Sequence, residues 1–178
     1  MLLDRTGLTT YYVLFFIQLS TRTVKIAGFT INLDASWMIQ MARNTTDAET
    51  GLLRDKRKLI IDRDTKYCQD FRQLLESSGT AIIRLPPQSP NLNAYAERLV
   101  GSIKAECLDR LIFFGEASLR RALREYTMHY HHERNHQAMH NRLLNGAAND
   151  DQYSVDTTKI ACRSRLGGML NCYYREAA

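Results

Sequence analysis

Apolar residues fall in two kinds of pattern along this chain, dense short runs and helically spaced stripes. Residues 10–20 (TYYVLFFIQLS) and 23–32 (TVKIAGFTIN) are rich in Tyr, Val, Phe and Ile and are parted by a polar break at Ser20-Thr21-Arg22. They predict a β-hairpin. The most apolar stretch, YYVLFFIQL, is nine residues long, well short of the roughly 20 that a membrane-spanning helix needs. In residues 35–46 (ASWMIQMARNTT) the apolar positions Trp37, Met38 or Ile39, Met41 and Ala42 recur at helical spacing, with Asn32 or Asp34 available as cap and Trp37 expected in the core. A polar, charged passage over 47–57 then leads to a short strand over 58–61 (KLII). Its unbroken apolar centre predicts a sheet covered on both faces.

Asp62 ends that strand. Asp64 follows, and its side chain suits the N-cap of a helix over 65–78. Gly79 stops this helix, and residues 80–85 (TAIIRL) return as a strand, which makes a parallel strand-helix-strand unit. All three prolines, Pro86, Pro87 and Pro90, lie in the next loop and keep it out of helix and sheet. Asn91 or Asn93 then caps a helix running to about residue 111. Its apolar stripe is Ala96, Leu99 or Val100, Ile103, Cys107 and Leu111, while Glu97, Gly101, Lys104 and Leu108 line the neighbouring face. Considered alone, Glu97 and Lys104 read as ordinary residues of a solvated face.

After a break at Gly115-Glu116, a helix over 117–132 sets Leu119, Ala122, Leu123, Tyr126 and Tyr130 on one side and Arg120, Arg121 and Arg124 on the other. That basic face suits either solvent or DNA. All five histidines (His129, His131, His132, His136, His140) cluster at the end of this helix and just after it, but no Cys or carboxylate pattern typical of zinc accompanies them. Residues 145–151 read as a linker. Residues 159–178 have two apolar stretches about Gly167-Gly168 and predict a small hairpin tail.

Composition adds a partner class. A net charge of +5 favours a polyanion without requiring one. The four cysteines (Cys68, Cys107, Cys162, Cys172) form no Cys-x-x-Cys pair, so neither a zinc knuckle nor a disulfide framework is expected and a cytoplasmic location is the simplest. Neither a signal peptide nor a membrane anchor is read.

Asp62-Arg63 after a buried strand, together with Ser89-Pro90-Asn91-Leu92-Asn93-Ala94-Tyr95-Ala96-Glu97-Arg98 and Ser102-Ile103-Lys104-Ala105-Glu106, resembles the integrase catalytic core of retroviruses and insertion-sequence transposases. Arg134-Asn135-His136-Gln137 resembles that family's extension more loosely, because members often have Pro where Asn135 stands. The resemblance implies an α/β domain of ribonuclease H-like architecture, a mixed sheet flanked by helices, over 1–144, followed by a linker and tail over 145–178. It implies metal-dependent cleavage and strand transfer on DNA, with Asp62 and Glu97 as catalytic carboxylates and metal ligands. Two Mg²⁺ or Mn²⁺ ions are expected in the complete family site. Lys104, with Arg98, would contact DNA, and the active family form would be a homo-oligomer with no small-molecule cofactor.

The family's first Asp lies on an opening strand that would precede Met1, and Asp4, beside Arg5 and Gly7, is no substitute. An N-terminally truncated core is therefore the expectation. The alternatives are an inactive remnant that binds DNA or pairs with full-length transposase, and a ribonuclease H-like nuclease.

Overall fold

Asp34 opens the first helix: its carboxylate accepts the Trp37 N–H at 2.7 Å, and the chain turns helical from Ala35 to Thr46 (α1). The structure, a computed structural model, describes residues 2–4, 7–87, 93–136, 143–144 and 159–175. Before α1 come β1 (Leu2–Asp4), β2 (Gly7–Thr9), β3 (Tyr12–Ile17) and β4 (Val24–Thr30); after it come β5 (Lys58–Ile61), α2 (Gln69–Ser77), β6 (Ala81–Arg84), α3 (Ala94–Glu106), a short 3₁₀ turn (Leu108–Arg110), α4 (Gly115–His132), β7 (Ile160–Arg165) and β8 (Leu170–Arg175). The chain divides into two units, one mainly Thr6–Ile17 with Lys25–Arg98 and the other mainly Gln18–Val24 with Leu99–Ala178. No helix among the described residues is long and apolar enough to cross a membrane.

The first unit is built around α1 and α2. Met38 and Ala42 of α1 meet Phe71 and Leu75 of α2 in one buried cluster, with Trp37 only partly buried against it rather than at its centre. The predicted hairpin is present, with β3 paired to β4. Gly28 of β4 lies so close to the Trp37 ring and the Met41 sulfur that a Cβ there would have no room.

The passage over 47–57, read as a polar connection, also delivers a core residue. Asp47 accepts the Glu49 and Thr50 N–H groups, Leu53 N–H donates to the Thr45 carbonyl at 2.8 Å, and the Leu53 side chain enters the α1–α2 cluster. Gly51 permits this reversal because a Cβ would strike the Thr45 and Asp47 carbonyl oxygens.

Strands β5 and β6 pair in parallel, in register from Lys58↔Ala81 to Ile61↔Arg84. The crossover ends as predicted at Gly79, whose φ is +91°. Gly79 N–H donates to Glu76 O and Thr80 N–H to Leu75 O, the paired bonds of a Schellman cap.

The expectation of a sheet covered on both faces does not hold. Leu59 and Ile82 pack on the helical cluster, but Ile60 and Ile83, paired on the opposite face, are each 41% exposed. Among the described residues no ladder exceeds two strands; the α/β character is plain, and a wider mixed sheet is not seen.

In the second unit, α4 buries Leu119, Ala122, Leu123 and Tyr126, as its stripe predicts, and also His129 and His131. The helix begins at Gly115, two residues earlier than expected, because the φ of +73° there lets the chain swing into it. The tail forms the predicted hairpin: β7 and β8 pair antiparallel around Gly167 and Gly168, both with positive φ. Residues 145–158 lie outside the described residues.

The hairpin is tied to α4 by buried charge. Arg165 reaches Glu133 with Nε at 2.9 Å and Nη2 at 2.7 Å, and Glu125 with Nη1 at 2.7 Å. The Glu133 side chain is only 2% exposed; Arg165, followed by His129 and Arg163, holds its carboxyl down at about 2 despite burial. His131 plays a different part: its Nε2 accepts the Val24 N–H at 2.9 Å, which requires a neutral ring. Burial, and then His132 and His136, lower its pKa accordingly.

Two outcomes follow for stability. Leu53→Ala removes a packed side chain and is expected to cost about 2–5 kcal/mol in urea unfolding; a loss well under 1 kcal/mol would show that the 47–57 reversal does not anchor the core. Because the folded-state pKa of His131 is depressed, the unfolded chain binds the extra proton first as pH falls below about 6.5. Melting temperature should therefore drop from pH 7.5 to pH 5.5, and drop less in His131→Gln; equal pH dependence in the two proteins would contradict this role.

Candidate active site

The C-terminal end of the β5–β6 pair carries the first candidate carboxylate. Parallel pairing makes both strands end on the same side, and the pairing continues one step past β6 as Leu85 N–H donates to Ile61 O at 3.0 Å. Arg63 Nε donates to Leu85 O at 2.8 Å, fastening the turn after β5 to the chain leaving β6. Asp62 stands between these anchors. It directly follows Ile61, the strand's only fully buried residue, and its own side chain is 42% exposed. One carboxylate oxygen accepts the Asp64 N–H at 3.1 Å, leaving the group facing solvent on a backbone fixed from both sides.

Asp64 does not cap α2. That helix begins at Gln69 after Cys68, not at 65 as the sequence suggested, and Cys68 makes no side-chain cap bond. Asp64 instead closes a tight turn on Lys66, accepting its N–H at 3.0 Å and its ammonium at 2.6 Å, and both bonds lower the Asp64 pKa. The cap preference was satisfied locally, within two residues, before a helix could start.

Sequence reading missed Lys66. Its ammonium lies 4.0 Å from Asp62 and 5.0 Å from the centre of the Tyr67 ring, so one cation serves two carboxylates and an aromatic face. Burial foremost, then Asp62 and Asp64, raises the Tyr67 pKa and keeps the phenol neutral beside them. The signal was present as Asp62-x-Asp64-x-Lys66, though no rule distinguished it from a solvated charge run.

Glu97 lies in the first turn of α3 and is exposed. The helix ends at Glu106 rather than near 111, giving way to the 3₁₀ turn. Leu99 and Cys107 are buried, with burial raising the Cys107 thiol to about 11. Glu97, Gly101 and Lys104 are exposed on the face the periodicity assigned them, and Arg98 is exposed beside Glu97. Neither Arg98 nor Lys104 makes an ion pair among the described residues.

The far half of α3 is held by three residues that the sequence offers no reason to join, Glu106, Tyr126 and Arg134. Glu106 takes Arg134 Nη2 at 2.7 Å and the Tyr126 hydroxyl at 3.4 Å, which ties α3 to α4 and to the segment beyond it. Arg134 belongs to the Arg-x-His-Gln stretch, so part of that motif has a visible structural duty. His136 donates to the Tyr130 carbonyl at 2.8 Å. Gln137 and His140 lie outside the described residues, as do Pro90 and Asn91.

Asp62 and Glu97 thus fall within the same unit, on elements that follow each other through β6. Among the described residues no group of three or more His, Cys, Asp or Glu side chains could hold a metal ion. What the chain offers is two hard oxygen donors. That set suits Mg²⁺, which keeps several waters and takes one or two carboxylates together with substrate phosphates.

No curated protein and no solved structure is a significant match to this chain. Residues 78–143 match the family model described as Integrase core domain, a segment containing Glu97, Arg98, Lys104, all of α4 and Arg134. The match covers about a third of the chain, and that segment is similar to integrase core domains.

Proposed function

We propose that this chain is an integrase or transposase core acting on DNA through metal-dependent phosphodiester cleavage and strand transfer. The match over 78–143, a segment in which Glu97 and Lys104 are both exposed on α3, carries this reading. Asp62, presented at the end of a parallel strand, supplies the second carboxylate. A ribonuclease H-like sheet is proposed with it, on the parallel β5–β6 pair joined by the α2 crossover.

In this reading Asp62 and Glu97 hold divalent metal, and Lys104 and Arg98 hold the phosphate backbone. When bound, the metal activates the attacking oxygen and stabilises the leaving one. The fixed turn at Asp62 keeps its carboxylate oriented: Arg63 and Leu85 clamp the backbone on one side and the Asp64 N–H holds one oxygen. The Lys66 ammonium lies beside the Asp62 and Asp64 carboxylates, so it would compete with a divalent cation for the same oxygens.

Titration with Mn²⁺ followed by electron paramagnetic resonance tests the ligands without requiring turnover. Asp62→Asn and Glu97→Gln are each expected to weaken Mn²⁺ binding by at least about tenfold, a loss of about 1.4 kcal/mol. Lys66→Gln should tighten it. Mn²⁺ binding indifferent to both carboxylate substitutions would remove the site. Activity is tested by strand-transfer assays on the 178-residue chain. Metal-dependent joining that survives Asp62→Asn and Glu97→Gln would contradict the proposal.

DNA binding is expected to be largely sequence-independent and to weaken steeply with salt, as phosphate neutralisation releases counterions. Lys104→Glu should weaken it at every sequence tested; unchanged affinity from low to moderate salt would count against a phosphate-contacting face.

A further inference from the structure

The seam between α4 and the C-terminal hairpin holds more arginine than its carboxylates can neutralise. Arg165 occupies both oxygens of Glu133 and one of Glu125. Two further arginines reach the same carboxylates at longer range: Arg163 Nη1 to Glu133 at 3.4 Å and Arg124 Nη2 to Glu125 at 3.9 Å. His129 takes the remaining contact on Glu133, at 3.1 Å. The hairpin sequence over 159–175 carries Lys159, Arg163, Arg165 and Arg175 and no Asp or Glu.

Arg163 is held in a particular way. Its guanidinium lies 5.3 Å from the centre of the Tyr174 ring, across the β7–β8 ladder, while the side chain is 56% exposed. One nitrogen touches Glu133, and no described residue takes the other donors of the fork. An arginine stacked on an aromatic face and pinned at one corner has lost much of its rotamer freedom before any ligand arrives, and its planar fork matches a phosphate. Arg124, exposed in the middle of α4, is joined to it through the chain Glu125, Arg165, Glu133.

We propose that this seam is a phosphate-binding surface for nucleic-acid backbone, with Arg163 as its principal contact and Arg124 as its second. The proposal rests on the DNA-acting reading above and extends it to a hairpin outside the matched segment. The buried Arg165–Glu133 pair is the anchor that presents the seam, not a contact itself. Its pKa directions agree with a permanently formed pair, Glu133 lowered and Arg165 raised by one another.

The test is fluorescence anisotropy with a labelled random-sequence duplex and the whole 178-residue chain, over a series of salt concentrations. Arg163→Gln and Arg124→Gln should each weaken binding severalfold and reduce the salt slope by about 1. Both should melt like the unaltered protein, since both side chains are exposed. Arg163→Lys, which keeps charge but not the fork, should recover only part of the affinity. Arg43→Gln, on the exposed face of α1, serves as the general-charge control.

Unchanged affinity and slope in Arg163→Gln and Arg124→Gln, with the unaltered chain binding, would overturn the seam while leaving the DNA-acting reading standing. An equal loss in Arg43→Gln would overturn it as a nonspecific charge effect. Absence of duplex binding by the unaltered chain would defeat both. Binding to phosphatidylserine vesicles that depends on Arg163, with duplex binding that does not, would assign the seam to a lipid surface and overturn the proposal.

Discussion

The parallel register of two four-residue strands is the constraint on which the candidate site depends. Antiparallel pairing would send the ends of β5 and β6 in opposite directions and leave Asp62 far from the start of the chain leading to Glu97. Parallel pairing requires a crossover, and α2 provides it by burying Phe71 and Leu75 against Met38 and Ala42. The Schellman cap at Gly79 ends that crossover in time for Ala81 to pair with Lys58. From there two single bonds, Leu85 to Ile61 and Arg63 to Leu85, carry the order of the sheet into the turn that holds Asp62. Packing between helices therefore fixes a carboxylate that is itself partly exposed.

A different balance operates in the second unit. There a buried carboxylate, Glu133, is kept charged by a bidentate arginine and assisted by His129. Removing one partner of such a pair strands the other and costs several kcal/mol, so the hairpin and α4 are coupled although residues 145–158 separate their sequences. The same chemistry leaves an arginine excess at the surface. Structural charge pairing and a basic face thus arise from one set of residues.

Elements with strong local signals were legible. The β3–β4 hairpin, the Asp34 cap on α1, the Gly79 stop and the buried stripe of α4 all follow from periodicity and turn chemistry within a few residues. The failures share a cause. Asp64 was assigned to a helix cap because the preference for Asp does not say how many residues later the helix begins; Lys66 captured it first. Leu53 sat in a charged passage and is buried only because the chain reverses at Gly51. Ile60 and Ile83 looked like core in an apolar run, yet their exposure depends on what lies across the sheet. Glu133 and Arg165 are two charged residues with no sequence reason to meet. Asp62 and Glu97 were chosen through motif resemblance, and the periodicity of α3 put Glu97 and Lys104 on one exposed face; tertiary contacts show what Arg63, Lys66, Glu106 and Arg134 hold.

The central claim is that Asp62 and Glu97 share a divalent cation. Anomalous scattering from a Mn²⁺-soaked crystal measures this directly. The account predicts a peak within coordination distance, about 2–2.5 Å, of carboxylate oxygens from both Asp62 and Glu97. A peak that touches neither side chain, or carboxylates separated by more than about 8 Å, twice the upper spacing of a two-metal site, would contradict it.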